Sequence, residues 1–266
     1  MNRWHLAFPI ALVILVAAGC SPAPVGMGQT TSVLTGTAAI PTPTEILWFP
    51  PTETPVVAVA VTPEPTPERK PGVGELMVMD DMTSAAHWNA AVSGQVSVTV
   101  SESGLTVSAE PGQPPVVSLH RSAVFDNMYI EITAHPSLCR ERDAYGLVFR
   151  APSEVAYYRF AAICDGTAAA ERIRLGTPRA LQPPTATSDV PVGAPGEVRL
   201  GVWALGSEFR FFLNGRYQFT IVDSNYVVGG IGVFAQAGGE TPVVVTFSDL
   251  RVYRLDSSAT SGTPTP

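Results

Sequence analysis

Between Leu76 and Leu255, apolar and polar residues alternate in short runs broken by Gly, Pro, Asn and Asp. A period of two is the pattern of a strand with one buried face. It predicts strands at Val96–Val100, Leu105–Ala109, Val116–His120, Tyr129–His135, Ala144–Arg150 and Val155–Ile163. Further strands are expected at Arg172–Leu175, Val198–Ala204, Glu208–Leu213, Tyr217–Val222, Ile231–Ala235 and Val243–Tyr253. No long segment follows the helical period, so the class is all-β, a sandwich or a barrel. Asn214-Gly215 between Phe-rich strands marks a type I′ hairpin turn, because both residues accept positive φ. Ala151-Pro152-Ser153-Glu154 reads as a second hairpin turn.

Folding the second hairpin about that turn sets Tyr157 opposite Val148. Tyr145, Leu147, Phe149, Tyr158 and Phe160 then share one face, and Val148, Arg150, Tyr157 and Arg159 the other. The first set reads as core. The second combines an aromatic ring with guanidinium groups, and Arg172, Arg174, Trp203 and Arg210 extend it if the neighbouring strands keep phase. Aromatic rings stack on sugar faces, while Arg donates to hydroxyls or acids in a fixed fork. Tyr157, Arg159 and, further out, Trp203 are therefore the candidate ligand-binding residues. On an exposed face, Tyr157→Ala is expected to weaken sugar binding with little change in melting temperature. The plainer reading of the same residues is a charged, partly packed outer sheet face.

The two ends of the chain differ from this β region. Arg3 precedes an uncharged apolar stretch of 13 residues, Leu6 to Ala18. As a helix that stretch reaches only about 20 Å, against the ~30 Å hydrocarbon core of a bilayer. It therefore reads as an export signal, residues 1–19, rather than a lasting transmembrane helix. Residues 20–72 carry 11 Pro and many Thr, a density that neither helix nor sheet interior accepts. They read as an extended spacer, reaching from ~40 Å as a coil to ~160 Å as polyproline II. The β domain is assigned to 73–255, and the Ser/Thr/Pro/Gly tail 256–266 is expected to be loose. The end of the signal, Ala17-Ala18-Gly19-Cys20, resembles the lipobox of bacterial lipoproteins, with Ala17 in place of the usual Leu. That resemblance implies cleavage before Cys20, acylation of its sulfur and a lipid anchor in the cell membrane with the rest of the chain on the extracytoplasmic side. Ordinary secretion is the alternative.

Composition narrows the partners. The net charge is −7 and only 15% of residues are charged, which argues against a protein that tracks nucleic-acid phosphates. Of the 3 Cys, setting aside Cys20 as the lipid site that the lipobox resemblance implies leaves Cys139 and Cys164. An exported pair reads as a disulfide. Continuing the hairpin pairing brings position 164 opposite about 141, close enough for a bridge.

Several segments together resemble the concanavalin A-like lectin/glucanase superfamily, in particular laminin G-like domains and the domain named for 3-keto-disaccharide hydrolases. They are Asp80-Asp81-Met82-Thr83-Ser84 with Trp88, Tyr145–Arg150 followed by Tyr157–Phe160, Phe211–Gly215, Gly230–Val233 and Phe247–Val252. The resemblance implies a jelly-roll β-sandwich over about 73–255. Glucanases of this superfamily carry a Glu-x-Asp-x-Glu strand, whereas the comparable strand here, Tyr129–His135, holds Glu131 alone. No catalytic residue is assigned, and Glu131 reads as a solvated strand residue.

No cofactor is expected. Gly230-x-Gly232-x-x-Ala235 imitates a dinucleotide fingerprint, but Gln236-Ala237-Gly238-Gly239 follows where a helix should begin. His87, His120 and His135 lack ligand spacing and read as surface or strand histidines, so no metal is assigned. Asp80, Asp81 and Asp249, near the two domain ends, are weighed as a calcium set and read as strand caps. The function expected from the chain is a membrane-tethered, non-catalytic module that binds a carbohydrate or cell-envelope polymer. Alternatives are a glycoside or 3-keto-glycoside hydrolase on the same fold, or a protein-interaction head.

Overall fold

The computed structural model describes residues 68–256, apart from residue 90 and residues 94–95. The export signal, Cys20, the spacer up to residue 67 and the tail from 257 lie outside the described residues. In chain order the strands are β1 (Val73–Asp80), β2 (Ala91–Ser93), β3 (Val96–Ser101), β4 (Gly104–Ala109), β5 (Val116–Phe125) and β6 (Met128–Leu138). They continue with β7 (Ala144–Ser153), β8 (Ala156–Ile163), β9 (Thr167–Arg174), β10 (Thr177–Ala186) and β11 (Val198–Leu205). β12 (Glu208–Leu213), β13 (Arg216–Val222), β14 (Gly229–Gln236) and β15 (Val243–Leu255) complete the set. Among the described residues there is no helix.

Two antiparallel sheets form the expected sandwich. One has the order β13-β12-β11-β6-β15-β4-β3-β2, with β1 also paired to β15, and the other runs β10-β9-β8-β7-β14-β5. Inward side chains of both sheets make one core, in which the rings of Phe160 and Phe211 lie 4.9 Å apart and those of Phe149 and Phe209 5.2 Å apart. Tyr145, Leu147, Phe149, Tyr158 and Phe160 all face it, as their alternation requires. The β12–β13 turn has φ 50° at Asn214 and 78° at Gly215, as a type I′ turn demands.

Four strands depart from the sequence reading, the three-residue β2 among them, which no expected strand covers. β10 contains Pro178, Pro183 and Pro184, which looks like a loop, yet it lies at a sheet edge where a missing N–H costs no ladder bond. β9 begins at Thr167 because Ala168, Ala169 and Ala170, poor strand formers by propensity, are small enough to be buried against the sheet's neighbours. β1 pairs with β15 over a stretch whose alternation is weak and whose first residues are exposed.

The β7–β8 register is also displaced. Val148 faces Arg159 and Phe149 faces Tyr158, and the turn falls at residues 154–155 because a bulge lengthens β7 after Phe149. A slip of two residues leaves every side chain on its expected face, since faces alternate with period two. Arg150 is the exception. It sits in the bulge with φ 46°, and its guanidinium donates to the carbonyls of Asp126, Gly206 and Tyr226 and lies 4.9 Å over the Phe209 ring. The bulge thus removes Arg150 from the outer face and buries it at one end of the core.

Cys139 and Cys164 form a disulfide, with Cα atoms 5.9 Å apart. It closes the β6–β8 connection at the end of the sandwich where the Cys164 N–H donates to Asp143 O at 3.0 Å. A sequence separation of 25 residues corresponds to about 3.5 kcal/mol of loop-closure stabilisation in the chain-entropy model. Cys139→Ala is therefore expected to lower stability by about that amount. Thiol labelling of the unreduced, denatured wild type is expected to find neither residue; two labelled thiols would contradict the bridge.

Candidate functional site

The outer face of the six-stranded sheet carries a partly enclosed cleft. Small residues make a floor on that face beside the cleft: Ala144 on β7, Ala161 on β8, Ala169 on β9, and Gly232 on β14. A Cβ at Gly232 would stand 2.3 Å from Ser118 O, so only glycine lets β14 and β5 approach there. This explains Gly232 of the false dinucleotide motif, whereas a Cβ at Gly230 would meet nothing nearer than Ala151 O at 3.4 Å. On that floor lies the Phe234 ring, and the Arg159 guanidinium stacks 4.7 Å above it. Arg159 donates from Nε to Glu171 Oε2 at 2.6 Å and from Nη1 to Gln236 Oε1 at 2.9 Å. Glu171 faces Arg159 directly across the β8–β9 ladder.

Above this row is a cleft of about 330 Å³. Tyr157, Arg159 and Gln236 line its base, Gln113-Pro114-Pro115 one wall, and Glu154 and the β9–β10 turn the others. That size is at the lower end of the ~300–1,000 Å³ typical of small-ligand clefts. A second depression, which includes Asn89 and Val117, shares Pro114, Pro115 and Glu154 with it. Asn89 Nδ2 donates to Glu154 Oε1 at 3.2 Å across this join.

The structure therefore brings Tyr157 and Arg159 together, but corrects their exposure. Tyr157 is 2% and Arg159 6% exposed. Tyr157 packs with Val148, Ile173 and Phe234, and burial raises its phenol above the usual tyrosine value. Tyr157→Ala is consequently expected to lower the melting temperature as well, contrary to the sequence expectation.

Trp203 and Arg210 belong elsewhere. They lie on the outer face of the nine-stranded sheet, where Trp203 is 1% exposed and packs with Tyr129, Phe212 and Leu255. Its indole N–H donates to Pro71 O at 2.9 Å, and Arg210 lies 4.4 Å over its ring. Lys70 covers Tyr129 and Phe212, so residues 69–71, read as solvated spacer, are docked on this sheet. Arg172 points inward beside Tyr158 and pairs with Asp223, and Arg174 is exposed. None of these four extends the Tyr157–Arg159 face.

Glu131 accepts a hydrogen bond from Tyr129 Oη at 3.0 Å. Burial, the Glu131 charge and that bond push the Tyr129 phenol far up. Glu131 also shares a polar depression with Lys70, Glu197 and Arg199, while Glu197 lies 3.6 Å from His135.

Of the acidic residues at the domain ends, Asp81 caps Thr83, and Asp249 is exposed and accepts from Ser248. Asp80 is buried and does more: Trp88, His87 and His120 all converge on its Oδ2. Burial lowers the His120 pKa, against the pull of Asp80. Sequence reasoning missed this meeting because β5 returns His120 beside residue 87 from far along the chain.

The two-sheet antiparallel architecture is that of jelly-roll and galectin-like β-sandwiches. No family model and no curated protein matches the chain. Among solved structures, it is similar to a carbohydrate-binding module, CBM66, from Bacillus subtilis, with 16% identity over 63% of this chain and 95% of that one, at a TM-score of 0.51. It is similar to a B. subtilis protein of unknown function with a galectin-like fold, with 13% identity over 68% and 97% of the two chains, at 0.50. The Crh5 transglycosylase in complex with NAG is similar at 11% identity over 70% and 87%, also at 0.50. At these identities the likeness defines the fold.

Proposed function

We propose that this protein is a non-catalytic carbohydrate-binding module that holds a glycan in the cleft between Tyr157, Arg159, Gln236, Gln113 and Glu154. The observation that carries this reading is the cleft's composition: Pro114 and Pro115 for the apolar face of a sugar, beside the Tyr157 phenol and amide, carboxylate and guanidinium groups for its hydroxyls. The Arg159–Glu171–Gln236 network holds those groups in place before a ligand arrives, which reduces the ordering cost of binding. Similarity of fold to a carbohydrate-binding module and to a transglycosylase solved with NAG supports the same class of ligand. A glycan array probed with the chain from residue 21 onward, with and without calcium, tests it. Selective binding to one group of glycans is expected; an array without hits would overturn the reading.

The module is proposed to stand on the extracytoplasmic face of the membrane, anchored by acylated Cys20 and held off by the Pro/Thr-rich spacer. The lipobox-like Ala17–Cys20 and the 11 Pro of the spacer support this. Membrane-fraction protein is expected to exceed the mass of the polypeptide from Cys20 by two or three acyl chains. Release into the medium unaffected by Cys20→Ser would contradict the anchor.

One observation favours a glycoside hydrolase as the second reading: Glu131 and Glu197 line a single depression. Loss of a measurable glycan hydrolysis in Glu131→Gln would establish it over the binding module.

A further inference from the structure

The cluster at Asp80, His87 and His120 lies outside the glycan cleft and has the makings of a metal centre. We propose that these three side chains hold one divalent transition ion of the zinc class, clipping the end of β1 in one sheet to edge strand β5 of the other. The candidate ligand atoms all lie within 4.8 Å of one another. Asp80 Oδ2 is 3.0 Å from His87 Nδ1 and 3.5 Å from His120 Nε2. Two ligands at zinc bond lengths in a tetrahedron stand about 3.3 Å apart, between those two separations.

His120 supplies an independent indication. Its side chain is 7% exposed, its Nδ1 has no hydrogen-bond partner, and its Nε2 reaches only Asp80 at 3.5 Å. That is long for a hydrogen bond, and the same oxygen already faces His87 and accepts from Trp88 Nε1 at 3.1 Å. A buried imidazole so poorly satisfied is costly, and an ion between Nε2 and the carboxylate replaces that long contact with a metal–ligand bond, although Nδ1 stays unpaired.

The surroundings are built to hold such a set. The Asp80 carboxylate is oriented from behind by the Trp88 indole and by the Met82 N–H, 2.7 Å from Oδ1, as ligating carboxylates generally are. Trp88 forms a β-bridge to His120, and the Arg121 N–H donates to His87 O at 2.8 Å, so the backbone fixes both histidines side by side. Two imidazoles with one carboxylate suit zinc and its neighbours and not calcium, which takes six to eight oxygens. The His87 side chain is 51% exposed, which leaves a fourth position open to water.

The test uses the full chain in detergent, depleted of metal and titrated with Zn²⁺ alone, with metal content and melting temperature as readouts. One zinc per chain is expected to survive gel filtration, and Tm is expected to rise by about 5–10 °C at a hundredfold excess over Kd. His87→Ala, an exposed substitution that leaves the fold intact, is expected to weaken zinc by more than the 10–100-fold that loss of an outer partner costs. His135→Ala, outside the cluster, is expected to bind as the wild type does. Failure to retain zinc, equal retention by His87→Ala, or the same Tm rise with Ca²⁺ would overturn the proposal.

Discussion

Phe160→Ala is expected to lower stability by about 3–5 kcal/mol, the range for deleting a large buried aromatic side chain. Phe160 is fully buried between the sheets, its ring centroid 4.9 Å from Phe211 and 6.0 Å from Phe219. The cavity would open at the centre of a layer whose backbone is fixed on both sides, by β7 and by β9. Little collapse is available to refill it, which places the cost toward the upper part of the range. Urea denaturation followed by tryptophan fluorescence checks this; a loss below about 1 kcal/mol would mean that Phe160 is not at the core centre.

The second large effect is expected at Asp223. Its carboxylate accepts from Tyr158 Oη, from Arg172 Nη1, and from Asn225 N and Nδ2 at 3.0 and 2.8 Å. Arg172 is itself buried, and its Nε already lacks a partner. Asp223→Ala leaves this guanidinium uncompensated, a change that typically costs about 3–5 kcal/mol. The pH dependence follows from the same contacts. Burial pushes the Asp223 carboxyl up, but the bonds from Tyr158 and Asn225 and the Arg172 charge outweigh it and hold it below its ordinary value. A group whose folded pKa is depressed gives stability present above its unfolded value, about 4, and lost as pH falls through the lower folded value. Melting temperature is therefore expected to fall below about pH 4, and less steeply in Asp223→Asn than in the wild type. Identical acid profiles would contradict that role.

The alternation of Tyr145–Phe149 and Tyr158–Phe160 made the core faces legible in the sequence, and Asn214-Gly215 made one turn legible to the residue. Strand order was not legible. It arises from crossovers that place β15 beside β6 and β14 beside β7, and no local pattern encodes them. That is why Trp203, with the composition of a ligand-face residue, lies on the other sheet beneath Pro71. Arg150 was misplaced by a single bulge, which local alternation does not reveal. For the candidate site, Tyr157 and Arg159 were readable from their phase. Gln113, Glu154, Glu171 and Gln236 were not, because a β4–β5 loop, a shifted turn and two further strands deliver them. The convergence of His87 and His120 on Asp80 needed the fold for the same reason.

The central claim is that the cleft over Arg159 binds a glycan. Its most direct test is calorimetric titration of the best array ligand into the wild type and into Tyr157→Phe/Glu154→Ala. The double variant keeps the buried ring and alters an exposed carboxylate, so its melting temperature should stay close to the wild type. Losing a hydroxyl and a charged acceptor from the cleft is predicted to weaken binding at least about tenfold. Undiminished affinity in the folded double variant would contradict the claim and place the ligand elsewhere on the molecule.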